Sequence, residues 1–202
     1  MPSRSLKGAV RAFLGPVGRA VGAIGISANV VTIAGLALAA GSGVLLARGF
    51  WRTAFVCLLG SGLCDLLDGA VARARGGAGS RLGAALDSTV DRYGEALVLT
   101  GILVHRVQHG AGAPFMWLWA LALTASFLIS YVRARAEGLG LRCEVGLLER
   151  PERMGLLLVL CLLGPRAAPW ILGVLALGGH ITFVQRLILV HRAGNRREGG
   201  TM

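Results

Sequence analysis

Residues 65–91 read DLLDGAVARARGGAGSRLGAALDSTVD, and the aspartates in this stretch, Asp65, Asp68, Asp87 and Asp91, are the only four in a chain of 202 residues. They lie three apart and four apart, so on two helices each pair projects from one face. The surrounding chain is apolar: 54% hydrophobic and 15% charged, with 31 glycines, outside the usual balance of a soluble globular domain. Runs long enough to cross a bilayer, roughly 20 residues each, fall at 28–47, 53–72, 84–104, 114–132, 154–172 and 171–190. Pro165 and Pro169 in GPRAAPW separate the last two. The pattern predicts an all-α integral membrane protein with six transmembrane helices, and no apolar-polar alternation argues for strands.

The basic residues give an orientation. Of 21 Lys and Arg, 16 fall at connections that six spans put on one side: Arg4, Lys7, Arg11 and Arg19; Arg73, Arg75 and Arg81; Arg133, Arg135, Arg142, Arg150 and Arg153; and Arg186, Arg192, Arg196 and Arg197. Arg48, Arg52, Arg106 and Arg166 lie at the opposite ends, and Arg92 sits inside the third span. The positive-inside bias therefore places both termini in the cytoplasm of a multi-pass cell-membrane protein. A net charge of +11 spread over juxtamembrane loops, not gathered on one soluble face, argues for lipid headgroups as partners and against nucleic acid.

Before the first span, Leu6, Val10, Phe13, Leu14 and Val17 recur at helical spacing with Lys7, Arg11 and Arg19 between them, which predicts an N-terminal amphipathic juxtamembrane helix on the cytoplasmic surface. The organisation expected is a 1–25 amphipathic segment, a 26–192 six-helix domain and a short, disordered basic tail at 193–202. Cys57, Cys64, Cys143 and Cys161 have no paired spacing and read as reduced packing residues, not as a zinc site or a disulfide frame.

Ionised carboxylates in membrane helices are costly, and four close together repel unless cations neutralise them. Oxygen-only ligands on two facing helices suit Mg²⁺ or Mn²⁺, with room for two ions. The competing account is a salt-bridge network with Arg73, Arg75, Arg81 and Arg92. It fits less well with the depth penalty on charge.

The spacing says more. DxxDG, two residues, Ala72-Arg73, nine residues and then GxxxDxxxD resembles the signature of the CDP-alcohol phosphatidyltransferase family, with Asp65, Asp68, Gly69, Ala72, Arg73, Gly83, Asp87 and Asp91 at its fixed positions. The gap between Arg73 and Gly83 is one residue longer than the family pattern usually has, and the extra residue falls in a glycine-rich loop able to absorb it. ISANVVTIAGL at 26–36 resembles the family's opening of the first helix, with Asn29 and Thr32 at the positions that face the nucleotide and Ala28 where a proline is usual. SYVRARAEGLGLRCEVGLLERPER at 130–153 is similar to the branch that makes phosphatidylinositol phosphate.

The resemblance implies a transferase that moves a phosphatidyl group from CDP-diacylglycerol to an alcohol, with Asp65, Asp68, Asp87 and Asp91 as metal ligands and Asp91 also as general base. Asn29, Thr32, Gly69, Ala72, Arg73 and Gly83 would bind CDP-diacylglycerol, Gly69 by close backbone approach and Arg73 by clamping phosphate. The resemblance also implies a homodimer. Arg133, Arg135, Arg150 and Arg153 form a guanidinium cluster suited to the phosphate of a phosphorylated polyol. Inositol 1-phosphate is the leading acceptor and glycerol 3-phosphate, as in phosphatidylglycerophosphate synthesis, the second. Each of these arginines has a bland account too, as a positive-inside anchor.

Other features carry less. GGAGSRLG lacks the strand and GK[ST] of a phosphate-binding loop. His105 and His109 are four apart, but at the outer end of the third span with no carboxylate near, they read as surface residues. His180 and Gln185 suit interhelical hydrogen bonds, and Trp117, Trp119 and Trp170 suit interfacial belts. An ion or proton transporter would place its aspartates near the midplane with internal repeats, and none is found. A membrane scaffold would leave the aspartates without a purpose.

Overall fold

Every described element is helical. The computed structural model describes residues 15–74 and 81–198, with side chains for 15–74 and 82–193. The elements are α1 (15–23), α2 (Ala28–Ala47), α3 (Trp51–Ala74), α4 (Arg81–Gln108), α5 (Ala113–Gly138), α6 (Arg150–Leu163), a 3₁₀ turn (Pro165–Ala167) and α7 (Ala168–Glu198). Two compact units divide the chain, Met1–Gly101 and Ile102–Met202, and α4 contributes to both.

In the first unit, Ser27 caps α2, its Oγ accepting from the Val30 N–H at 3.3 Å. Ala28, where a proline would preset the helix start, is thus compensated by the serine before it. The helix ends on Gly49, whose φ of +84° lets the Gly49 and Phe50 N–H groups close on the Leu46 and Leu45 carbonyls at 3.0 and 2.9 Å. That turn folds α3 back along α2. Ser42 Oγ donates to the Ala54 carbonyl at 3.0 Å, and a β-carbon on Gly35 would stand 3.0 Å from that of Cys64. Helix α4 lies equally close to α2: a β-carbon on Gly43 would meet the Leu97 carbonyl oxygen at 2.6 Å, and one on Gly101 would overlap the Gly43 backbone. In apolar surroundings such small-residue seams replace hydrophobic exclusion as the source of packing energy. Helix α1 is seated on α3, since a β-carbon on Gly18 would fall 2.7 Å from that of Ala70.

In the second unit α5 and α7 form the principal pair, with a β-carbon on Gly179 falling 2.7 Å from that of Ala125. Residues 139–149, between α5 and α6, contain no helix or strand.

Among the described residues, four segments can cross a membrane by length and composition: α2, α3, α5 and Pro165–Ala193. The expected spans at 154–172 and 171–190 need correction. Helix α6 stops at Leu163, Gly164 takes a φ of +81°, and α7 begins at Ala168. The break comes at Pro165 alone, because Pro169 falls in the first turn of α7, where its missing N–H has no partner to lose. The tail is corrected in part: 193–198 continue α7 as helix, although disorder was expected there. Of the expected surface helix 15–23 is helical, while Leu6, Val10, Phe13 and Leu14 lie outside the described residues.

His105 is also corrected. It is buried, with its ring 4.1 Å from that of His109, whose Nδ1 lies 2.7 Å from the His105 carbonyl oxygen. His180 bonds within its own helix, to the Ala176 carbonyl at 2.8 Å, and not to another helix. Trp117 and Trp170 are exposed, and the four cysteines are free, Cys143 and Cys161 being buried.

Candidate active site

Helix α3 carries Asp65 and Asp68 near its C-terminal end, and α4 carries Asp87 and Asp91 near its start. Carboxylate oxygens of Asp65, Asp87 and Asp91 all lie within 4.8 Å of one another, and all three side chains are half-buried. Three ionised carboxylates at such separations repel by roughly 3 kcal/mol per pair at an effective dielectric of about 20. Of the nearby arginines, Arg92 offers Nη1 to Asp91 Oδ2 at 3.5 Å and turns the same nitrogen to the Ser88 carbonyl at 2.6 Å. The donor set, three hard oxygens from two helices, fits Mg²⁺ or Mn²⁺.

Asp68 is not in that group. It is buried, and its Oδ2 accepts a hydrogen bond from Thr32 Oγ1 at 2.6 Å. Two residues three apart on a helix differ by about 60° in direction. That angle is enough for Asp65 to face α4 while Asp68 faces α2. Thr32, expected to face the nucleotide, has its hydroxyl directed to Asp68, with the Ala28 carbonyl of its own helix also 3.0 Å away.

The rest of the signature lies close by. A β-carbon on Gly69 would meet Arg73 Nη1 at 3.3 Å, so the exposed guanidinium folds back over the glycine one turn before it. Asn29, Ala72 and Gly83 are half-buried. The loop in which the signature is one residue longer lies at 75–80, outside the described residues.

In the second unit the four arginines differ from one another. Arg133 is exposed, with Nε donating to Glu137 Oε1 at 2.8 Å, and Arg135 is exposed. Arg150 is half-buried. Arg153 is 3% exposed, with Nη1 turned back to the Leu148 carbonyl at 3.5 Å. An open groove of about 1050 Å³ is lined by Leu141, Val145, Leu147, Ile188, Gln185 and Arg192, among others. Missed from sequence was Arg186, which looked like one more positive-inside residue but is 2% exposed and bonded to backbone on two sides. Its position within an apolar run, between Val184 and Leu187, was the available signal.

The profile of the CDP-alcohol phosphatidyltransferase family matches residues 25–191. The chain belongs to this family. Among relatives of this family enzyme, the archaetidylinositol phosphate synthase of Methanothermobacter thermautotrophicus is 36% identical over 185 residues, 90% of each chain. The phosphatidylinositol phosphate synthase of Mycobacterium bovis is 38% identical over 182 residues, 85% of this chain and 82% of its own. The crystal structure of Mycobacterium tuberculosis phosphatidylinositol phosphate synthase with CDP-diacylglycerol bound superposes with a TM-score of 0.80 at 35% identity, covering 88% of this chain and 92% of that one. The same enzyme in complex with manganese and citrate also matches with a TM-score of 0.80. The protein is thus a membrane-embedded transferase of phospholipid biosynthesis, and the transporter and scaffold readings fall away.

Proposed function

We propose that the chain transfers the phosphatidyl group of CDP-diacylglycerol to inositol 1-phosphate, releasing CMP and forming phosphatidylinositol phosphate. The observation that carries this is the convergence of Asp65, Asp87 and Asp91, on helices whose signature and relatives belong to that chemistry. The phosphorylated acceptor is supported by the names of the relatives, and the cation by the manganese complex of the tuberculosis enzyme.

Asp65, Asp87 and Asp91 hold the cation, Mg²⁺ or Mn²⁺. Asp68 shares in the same site with its carboxylate oriented by Thr32, and the set has the ligand capacity for two ions. When bound, the cation neutralises pyrophosphate charge and polarises phosphorus. Asp91 accepts the proton of the acceptor hydroxyl as the new oxygen–phosphorus bond forms. The bond to the CMP oxygen breaks, and CMP leaves with its electron pair. Arg73 clamps a phosphate, and Gly69 lets the nucleotide approach the backbone. Asn29, Ala72 and Gly83 complete the CDP-diacylglycerol contacts, and Thr32 serves them through Asp68. Arg133, Arg135, Arg150 and Arg153 bind the acceptor phosphate.

The reading includes six crossings, α2 through α7, with α4 bringing its charged first half to the cytoplasmic surface and the surface helix preceding them. Helix α6, about 21 Å long at 1.5 Å per residue, is short for a hydrocarbon core of roughly 30 Å, and the 3₁₀ turn after it extends its reach. Both termini and the active site face the cytoplasm, with domain bounds at 26–192 and a homodimer as the working assembly.

The test is CMP release by detergent-purified protein given CDP-diacylglycerol and Mg²⁺, with inositol 1-phosphate, glycerol 3-phosphate, inositol and serine offered separately and the lipid product identified. Turnover with inositol 1-phosphate is expected. Turnover with glycerol 3-phosphate alone would move the acceptor assignment, and acceptor-independent CMP release would remove the transfer reaction.

A further inference from the structure

Helix α7 turns two faces to the connection between α5 and α6. One face bonds it: Thr182 Oγ1 accepts from the Leu147 and Leu148 N–H groups at 3.1 and 2.9 Å, and Arg186 Nε donates to the Val145 carbonyl at 2.8 Å. The neighbouring face, at positions 185, 188, 189 and 192, forms one wall of the open groove of about 1050 Å³. Val145 and Leu147 stand in the other wall, so the bonds of the first face tie the two walls together.

The side chains that line the groove are apolar except for Gln185 and Arg192. Leu147 and Ile188, from opposite walls, are 60% and 45% exposed, which in water would leave hydrocarbon surface uncovered. Position along the helix says what covers it. Pro165–Ala193 is 29 residues, about 43 Å at 1.5 Å per residue, and so exceeds a hydrocarbon core of roughly 30 Å. With the excess shared between the two ends, Ile188 and Leu189 reach the edge of the acyl region and Arg192 stands in the headgroup layer. Arg192 is exposed, and a guanidinium there meets phosphate with two donors while its apolar stem follows the groove. A volume at the upper end of the roughly 300–1,000 Å³ of small-molecule sites leaves room for a chain and not only for an ion. With a positive charge at the rim and no carboxylate in the lining, a headgroup of net negative charge is favoured over a zwitterion, whose own cation Arg192 would repel.

We infer that this groove is a structural-lipid site: it takes one anionic phospholipid, with an acyl chain between α7 and residues 141–147 and its phosphate on Arg192. None of the lining residues belongs to the aspartate signature or to the four acceptor arginines, so the lipid is a bound component and not the substrate. The inference rests on the reading of Pro165–Ala193 as a membrane crossing.

The experiment reconstitutes the full chain in phosphatidylcholine vesicles. These carry a trace of phosphatidylglycerol or of phosphatidylcholine with a photoactivatable diazirine on one acyl chain, and labelled peptides are mapped by mass spectrometry. Residues 141–147 and 185–193 are expected to be labelled about fivefold more by the phosphatidylglycerol, the change that roughly 1 kcal/mol from one basic residue supplies. Arg192→Gln removes that excess, Arg192→Lys keeps it, and Leu189→Trp, which fills the groove, lowers labelling by both lipids. Because Arg192 is exposed, its variants are expected to fold with CMP release unchanged, and if Leu189→Trp does not accumulate they decide alone. Equal labelling by the two lipids, or an excess that survives Arg192→Gln, overturns the inference. So does a raised CDP-diacylglycerol KM in Arg192→Gln, which would make the groove part of the substrate site. Labelling of α2 and α3 without the groove overturns it while the crossings stand, and gives the groove to a second copy of the chain. Labelling of none of them removes the crossings on which it rests.

Discussion

The two halves of this chain gather charge in opposite ways. In residues 1–101 the acidic groups come from two regular helices, whose repeat sets the direction of each pair and whose meeting brings carboxylate oxygens of Asp65, Asp87 and Asp91 within 4.8 Å of one another. In residues 102–202 the basic groups stand on three helices, Arg133 and Arg135 on α5, Arg150 and Arg153 on α6 and Arg186 on α7, and they scatter across environments from the exposed Arg133 to Arg153 and Arg186, at 3% and 2% exposure. The difference teaches that charge placed by a repeating structure can be located from spacing. Charge on a helix that follows an irregular connection depends on what holds the connection, and here Thr182 and Arg186 bond residues 145–148 just before α6.

The comparison breaks first at Asp91. Asp91→Asn keeps the shape of the side chain but removes the proposed proton acceptor, so CMP release should fall by about 10³-fold or more with expression intact. An active variant would take the base out of the aspartate half. Next, Asp65→Asn or Asp87→Asn should shift the half-saturating Mn²⁺ concentration upward by roughly 10- to 100-fold, with partial rescue at high Mn²⁺. Rescue that is equally complete for Asp91→Asn would show that Asp91 serves only as a ligand.

A finer probe is the Thr32 hydroxyl. Thr32→Val leaves a buried carboxylate short of its 2.6 Å donor and should lower kcat/KM for CDP-diacylglycerol by about tenfold, while Thr32→Ser should stay close to the parent. Equal losses in the two variants would point to packing instead of the hydrogen bond. The smallest effect belongs to Arg133→Ala. An exposed i,i+4 pair with Glu137 contributes only about 0.3–0.5 kcal/mol, so acceptor KM should change by less than about threefold, against a larger rise in Arg153→Ala. A reversed order would mean that exposure is a poor guide to which arginine meets the acceptor phosphate.

How much of this was legible follows the same division. The aspartate pairs, the apolar helices around them and the family signature could be read because the helical repeat maps residue number onto direction. The same reading named Asp68 beside the other three but did not show its bond to Thr32, since a 60° difference does not say which neighbouring helix lies on which side and that bond depends on α2 packing against α3. The spans at 154–172 and 171–190 were misplaced because both prolines were weighed alike, whereas a proline in a first helical turn ends nothing. His105 was read as a surface residue from its place at a helix end, and packing buried it instead. Arg186 is marked out only by its apolar neighbours, and nothing in its local sequence records the carbonyls of Ile129 and Val145, which arrive from 57 and 41 residues away.

The contact between Gly43 and Gly101 has a mechanical consequence. Two backbones touch there with no side chain between them, so α2 and α4 behave as the closed end of a pair of tongs. Asp91 stands ten residues along α4 from that pivot, a lever arm of about 15 Å. A wedge as small as one methyl group at position 101 would be magnified at the far end of the arm. That end carries Asp87 and Asp91 beside Asp65 of α3, which packs on α2, so the spacing of the three carboxylates would record an injury made well away from it.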